Sequence, residues 1–318
     1  MTHYDVFNGD ADGLCALHQL RLEEPLDSVL VTGAKRDVEL LQHVDAKAGD
    51  SVTVLDLSVA SNRRALTMLL ARGVAVQYFD HHFAGDLPKH PKLIAKIDTA
   101  PDVCTGIIVD RHLDGKRRIW AAVAAFGDDL EEPARALAAQ LHLEPAQLAS
   151  LRELGEALAY NAYGDSEDDL IVHPAELYRM IEPYADPFEL LAEESVIAHI
   201  GEVRSEDLDL AASVEPEFVG RCAAAYVLPD AAWSRRVRGA FGNMLAQRRP
   251  DRAHAILTPN AEGGYMVSVR APRAKPTGAD ALCRGFSTGG GRAAAAGINH
   301  LPAEEVAAFV RRLDESFR

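Results

Sequence analysis

The feature that most constrains this chain is a regular alternation in its first hundred residues. β-rich runs at 4–8, 28–32, 52–57, 74–80 and 93–97 are separated by segments with helical periodicity or composition at 13–21, 37–43 and 61–72. Parallel strands need long crossover connections, usually helices, so the alternation predicts an α/β fold with a parallel sheet covered by helices. In such sheets ligands bind beyond the carboxyl ends of the strands. A polar residue just past a strand end is therefore a candidate for function.

Beyond about residue 104 the pattern turns mostly helical as far as residue 200, with a polar break at 161–169. Pro216 and its acidic surroundings mark the expected boundary: a first domain at 1–200 with a helical C-terminal part, a linker at 201–220, and a smaller α+β domain at 221–318. The runs 253–257 and 265–270 read as strands of that second domain. Charge changes sign at the same place. Residues 1–220 hold 18 Lys and Arg against 40 Asp and Glu, net −22, whereas residues 221–318 hold 15 against 8, net +7. An acidic part needs cations, and a basic part takes anions.

Composition excludes several classes. With 48% hydrophobic and 25% charged residues the chain has the make-up of a globular protein rather than a disordered one. No apolar run approaches the roughly 18 residues of a membrane helix. The first residues lack the basic and apolar segments of a secretory signal, so a cytoplasmic protein with no membrane partner is expected. The four cysteines form no CxxC pair, which argues against a zinc site or a disulfide framework.

The chemistry gathers at strand ends. Asn8-Gly9-Asp10-Ala11-Asp12-Gly13 follows the first strand; in an extended turn Asp10 and Asp12 would point the same way, although a lone DxD is more readily an Asx turn or a helix cap. Asp56 ends the run 52–55, where it could also cap the next helix. Asp80-His81-His82 ends the run 74–79, where the histidines could also be a hydrogen-bonded loop pair. The apolar segment 120–126 ends in Gly127-Asp128, with Asp128 otherwise one acid of a surface run. Carboxylates clustered in a partly buried place repel one another unless a cation neutralises them. Carboxylate and imidazole donors suit Mn²⁺, with Mg²⁺ possible and Zn²⁺ or Co²⁺ less favoured. Two such ions about 3.5–4 Å apart could generate a hydroxide and stabilise an in-line displacement at phosphorus. In the C-terminal part, Gly289-Gly290-Gly291-Arg292 precedes an alanine run. A Gly-rich turn opening a helix would expose amides to an anion, with Arg292 adding a bidentate donor. Arg270, at the end of the run 265–270, is a second phosphate contact or simply a solvated strand end.

Together NGDADG, the strand-terminal Asp56, DHH at 80–82, Gly127-Asp128 and GGGRAAAAG resemble, in order and over most of the chain, the DHH phosphoesterases with a C-terminal DHHA1 domain. The resemblance implies a parallel-sheet DHH domain, a helical connection and a smaller α+β DHHA1 domain. It implies metal ligands at Asn8, Asp10, Asp12, Asp56, His81 and Asp128, with Asp56 bridging two Mn²⁺ ions. It further implies catalytic roles for His82, as phosphate contact or proton donor, and for Asp80 as partner of the histidines. Substrate contacts would fall at Arg270, Gly290, Gly291 and Arg292. Two positions depart from the family: Asn8 stands where His or Asp is usual, and Arg292 replaces a histidine.

The function expected is hydrolysis of a phosphoester in a nucleotide or short oligonucleotide, the basic C-terminal part taking the remaining anionic group. Long nucleic acid is disfavoured, because its affinity comes from many backbone contacts. A single-strand exonuclease is the alternative within the class, and a catalytically weak nucleotide-binding or regulatory protein is the alternative outside it. The sequence leaves the oligomeric state open.

Overall fold

The computed structural model describes residues 1–318, and the chain divides into two compact units, Met1–Glu202 and Val203–Arg318. The first is α/β. Its strands β1 (His3–Phe7), β2 (Val29–Val31), β3 (Ser51–Leu55), β4 (Ala75–Asp80) and β5 (Leu93–Ile97) form one all-parallel sheet in the order β2-β1-β3-β4-β5. The chain leaves β1 toward β2 on one side and later returns to β3 on the other. The loops after β1 and β3 therefore diverge, and the crevice between them is where an open α/β sheet binds its ligand.

Helix α1 (Ala11–Glu23) joins β1 to β2, and α2 (Val59–Ala71) joins β3 to β4. Val6, Val52, Val54, Val76 and Tyr78 of the sheet share one core with Leu66, Leu69 and Leu70 of α2. α1 is buried from Ala11 to Arg21, as a helix inside a core must be. Helices α3 (Thr105–His112), α4 (Arg118–Gly127), α5 (Glu131–Ala139), α6 (Pro145–Asn161), α7 (Pro174–Ile181) and α8 (Pro187–Glu193) complete the unit, and α4, with Trp120 to Phe126 all buried, packs against α1 and α6. The expected helix at 37–43 is only a 3-10 turn at Leu40–His43, with no side-chain cap at Glu39 to extend it. The stretch 201–220, expected as a linker, is instead largely the second half of α9 (Val196–Ala212).

The second unit holds a six-stranded mixed sheet ordered β10-β11-β9-β8-β7-β6, from β6 (Phe218–Val219), β7 (Ala223–Val227), β8 (Ala253–Pro259), β9 (Gly264–Arg270), β10 (Gly289–Gly291) and β11 (Ala295–Pro302). Only β7 and β8 are parallel, and α10 (Ala232–Arg248) connects them. Val237, Phe241 and Leu245 of α10 pack on Ile256. A separate core unites Val267, Val269 and Ile298 with α11 (Ala279–Cys283) and with Phe309 and Leu313 of α12 (Val306–Ser316).

The glycine-rich segment corrects an expectation. No helix follows it: Gly290 pairs with Gly297 and Gly291 with Ala296 across the β10–β11 hairpin. The Arg292 amide donates to the Ala295 carbonyl at 2.9 Å and the Ala295 amide to the Arg292 carbonyl at 3.2 Å, which leaves Ala293-Ala294 as a two-residue loop. The helical propensity of four alanines is worth little against a ladder that buries Ala296 and Ile298.

Candidate metal centre

The centre grows from the ends of β1, β3 and β4. After β1, Asn8 turns its Oδ1 to the Asp10 amide at 3.3 Å, which bends the chain into α1. Gly13 makes that bend possible, since a Cβ there would lie 2.1 Å from the Asn8 carbonyl oxygen. Asp10 is the N-cap of α1, its Oδ1 accepting from the amides of Asp12 (3.1 Å) and Gly13 (3.2 Å), and Asp12 lies in the first helical turn. The pair thus sits on a helix N-terminus and not in an extended turn. Capping and site reading coexist, because Asp10 Oδ2 points elsewhere: it meets Lys35 Nζ at 2.5 Å.

Asp12 is held from the opposite side. Its Oδ2 accepts from the Thr105 amide and its Oδ1 from the Gly106 amide, each at 2.7 Å, so the first turn of α3 grips both oxygens. Asp56 follows β3 with φ 59°, a left-handed conformation in which aspartate is among the few tolerated side chains. It does not cap α2. Its Oδ1 lies 3.2 Å from Thr105 Oγ1 and 3.4 Å from His81 Nε2. Asp128, directly after α4, stands with Oδ2 4.0 Å from His81 Nε2 and Oδ1 3.9 Å from Lys35 Nζ. Of the acidic run 128–132 it is the one that belongs to the centre.

The two histidines differ in what their rings face. His81 Nδ1 lies 3.0 Å from the Val103 carbonyl, which can only accept, so that nitrogen carries a proton, and Nε2, whose lone pair becomes available on losing its own proton, faces Asp56, Asp12 (4.0 Å) and Asp128. His82 Nδ1 meets Asp80 Oδ1 at 2.7 Å, and its side chain is 44% exposed. Asp80 is fully buried, with Oδ2 lacking any hydrogen-bond partner.

Charge is unbalanced here. Burial first, and then repulsion from Asp56, pushes Asp12 up to about 7. Burial and Asp10 do the same for Asp56, and burial and Asp12 for Asp128, both also to about 7. Burial would lower His81, but the contact with Asp56 and the surrounding carboxylates outweigh it and hold the ring up to about 10. Asp10 alone moves down: burial opposes ionisation, and the Lys35 ammonium overcomes it. Two sets of potential ligand atoms lie within 4.8 Å of one another, Asp12–His81–Asp128 and Asp56–His81–His82, and they share His81. Three carboxylates short of counter-charge around a directed imidazole nitrogen fit a hard-to-borderline divalent ion.

The second unit carries the other expected residues. Arg292 is exposed on the β10–β11 hairpin beside Gly290 and Gly291. Arg270 is not a bare strand end: Nε donates to Asn243 Oδ1 at 2.7 Å, Nη1 to Ser268 Oγ at 2.9 Å and Nη2 to the Gly239 carbonyl at 3.3 Å. Lys35 and Thr105 went unread in the sequence. Lys35 follows β2, so the strand-end rule would have found it had cations been weighed along with acids. Thr105 lacks a local signal, since it reaches the centre only through tertiary packing.

A parallel sheet ordered 2-1-3-4-5 with Asp and His converging at its carboxyl edge, joined to a second unit built on a mixed sheet, defines the DHH phosphoesterase fold, and the chain has that fold. Solved structures agree. The exonuclease RecJ bound to manganese superposes with TM-score 0.62 at 19% identity, over 99% of this chain and 90% of that one. RecJ of Thermus thermophilus in complex with Mn²⁺ gives 0.63 at 18% over 99% of this chain, which spans about half (52%) of that protein. The pGpG-specific phosphodiesterase PggH of Vibrio cholerae gives 0.54 at 12% over 99% of both chains. No family model matches the sequence, and no curated protein matches it. No helix is long and apolar enough to cross a membrane.

Proposed function

We propose that this chain is a divalent-metal-dependent phosphoesterase, using manganese, that acts on a nucleotide or a short oligonucleotide. The observation that carries the reading is the convergence of Asp12, Asp56 and Asp128 on the Nε2 of His81, with all three carboxylates raised to about 7 by burial and by one another's charge. These four residues would hold the ion. A divalent ion there supplies positive charge to a phosphoryl oxygen and acidifies water. Asp56, in contact with His81 and 3.8 Å from the His82 ring, links the ligand set to His82, and His81 is the member that both potential sets share. His82, oriented by Asp80 and open to solvent, can hold and deliver a proton to the leaving oxygen. Arg292, with Gly290 and Gly291, binds a substrate phosphate that is not cleaved.

Manganese in the RecJ structures and pGpG as the substrate of PggH support the metal and the substrate class. The net charge of +7 at 221–318 supports an anionic ligand. Four free thiols support a reducing compartment such as the cytoplasm. One observation favours a catalytically weak nucleotide-binding protein instead: Asn8 Oδ1 is committed to the Asp10 amide and Asp10 Oδ2 to Lys35. The deciding experiment is Mn²⁺-supplemented hydrolysis of di- to pentanucleotides, cyclic dinucleotides, 3′-phosphoadenosine 5′-phosphate and long single-stranded DNA. Turnover of a short substrate, lost on chelation and in Asp56→Asn, is expected. Turnover of long DNA alone would make the protein an exonuclease, and binding without turnover would make it a nucleotide-binding protein.

A further inference from the structure

The centre contains four carboxylates, yet only three of them share the two potential ligand sets. Asp10 is in neither set although it comes from the same loop as Asp12, and it is the one whose carboxylate is answered directly by a cation. Oδ1 caps α1 through two amides, and Oδ2 is paired with Lys35 Nζ at 2.5 Å. The ammonium lies between Asp10 and Asp128, 3.9 Å from Asp128 Oδ1, while the other oxygen of Asp128 faces His81. Lys35 is anchored for this, its amide donating to the Ala162 carbonyl at 3.0 Å, and its side chain is 37% exposed. Asn8, the remaining residue of the loop, offers only a neutral amide oxygen that is already accepting a hydrogen bond.

We propose that the Lys35 ammonium is a built-in cation of this centre: the two potential ligand sets share the single Nε2 of His81, and Lys35 answers Asp10 and faces Asp128, the carboxylates a second divalent ion could otherwise recruit, so that the chain holds a single exchangeable ion. The inference rests on the reading of Asp12, Asp56, His81 and Asp128 as metal ligands. Its logic is electrostatic. A second divalent ion would have to displace the ammonium from Asp10 or bind against it, and like charges a few ångströms apart in a partly buried site repel strongly. The arrangement also puts a fixed hydrogen-bond donor beside the ion, where it can contact a substrate phosphoryl oxygen, a task lysine performs as a point charge.

The test is a count of ions. Mn²⁺ is titrated into the full-length wild type, Lys35→Arg and Lys35→Met, bound metal is measured by equilibrium dialysis with elemental analysis, and electron paramagnetic resonance reports whether neighbouring ions are spin-coupled. Wild type and Lys35→Arg should each bind one ion per chain with an uncoupled spectrum. Lys35→Met should bind two coupled ions, with the second at least tenfold tighter than any second ion in the wild type. Two coupled ions in the wild type, or one ion in Lys35→Met, would overturn the role of Lys35 and leave the metal centre standing. No bound ion in any folded variant would overturn the metal reading itself. Should Lys35→Met lose its folded circular-dichroism spectrum, Lys35→Gln, which keeps a donor for Asp10 without the charge, takes its place in the count.

Discussion

Asp56 is the residue at which a cost to the resting fold and a part in the proposed chemistry would meet. It is buried, left-handed in backbone, and held against its own charge by Asp10 and Asp128. Asp56→Asn keeps the tolerance for positive φ and removes the charge, so it should raise the melting temperature of the metal-free protein. The same change should lower hydrolysis by more than about 100-fold, beyond what loss of a supporting contact costs a metal site. Calorimetric melting and turnover on one sample check both, and a fall in melting temperature would instead assign Asp56 to the fold. The titrations of the centre set the pH behaviour. In the metal-free protein Asp12, Asp56 and Asp128 ionise near 7, whereas in the unfolded chain they ionise near 3.8. Between those values the unfolded state binds fewer protons, so their contribution to stability should fall as pH rises from about 4 to about 7 and stay level above. His81, held to about 10, works the other way, its contribution being complete below about 6.5 and lost as pH passes 10. Metal must displace these protons. Mn²⁺ titrated at pH 6 in buffers of different ionisation enthalpy should therefore release more than one proton per ion, and affinity should climb with pH.

At the scale of elements, α3 is the part that makes the centre rigid. Its first two amides grip Asp12, and it can do so only because Gly106 lets α3 lie close to α4: a Cβ there would stand 2.5 Å from Ala124 Cβ and 3.2 Å from Asp12 Oδ1. Gly106→Ala must push the helix outward, and overpacking of this kind costs about 1–3 kcal/mol. A lower melting temperature together with weaker Mn²⁺ binding is expected; a loss of stability with unchanged metal affinity would show that Asp12 does not depend on α3. In the second unit Arg270 ends β9 and Arg292 follows β10. Arg270 ties β9 to α10 through Asn243 and the Gly239 carbonyl, so Arg270→Ala should cost about 1–3 kcal/mol in denaturant unfolding. Equal stability of the variant and the wild type would return Arg270 to the list of free anion contacts.

At the scale of the whole molecule, charge is segregated, with net −22 over residues 1–220 and net +7 over residues 221–318. Metal and anion binding would thereby fall to different parts of the chain. Arg292 is exposed, so Arg292→Ala should leave stability within about 0.5 kcal/mol. Its effect should appear in binding. A contact to an unreactive phosphate holds ground state and transition state alike, so KM should rise more than kcat falls. A loss of about 1.5–3 kcal/mol corresponds to roughly 10- to 150-fold in kcat/KM for a substrate with two anionic groups. A substrate with one phosphate should be indifferent, and an equal loss of kcat on both would move Arg292 to the reacting group.

The five strands of the first sheet were legible because period and turn residues are local, and the strand-end rule pointed to Asp10, Asp12, Asp56 and His81 for the same reason, while Asp128 was read from the end of an apolar segment that is helix α4. Locality also explains the misreadings. Residues 37–43 have helical composition but form only the uncapped 3-10 turn at Leu40–His43, and 293–296 have helical propensity that an antiparallel partner overrides. What only the tertiary structure decided is which groups those acids meet. Lys35 reaches Asp10 across 25 residues, and the amides of Thr105 and Gly106 reach Asp12 across 93 and 94. Such pairings leave no periodicity to read. The sequence by itself determined a parallel sheet with acids at its carboxyl edge, because each strand carries its own pattern and its own end. Packing of distant loops decided that one of those acids is answered by a lysine and that three gather around His81, because counter-charge is a property of the space around a carboxylate and not of its neighbours in the chain.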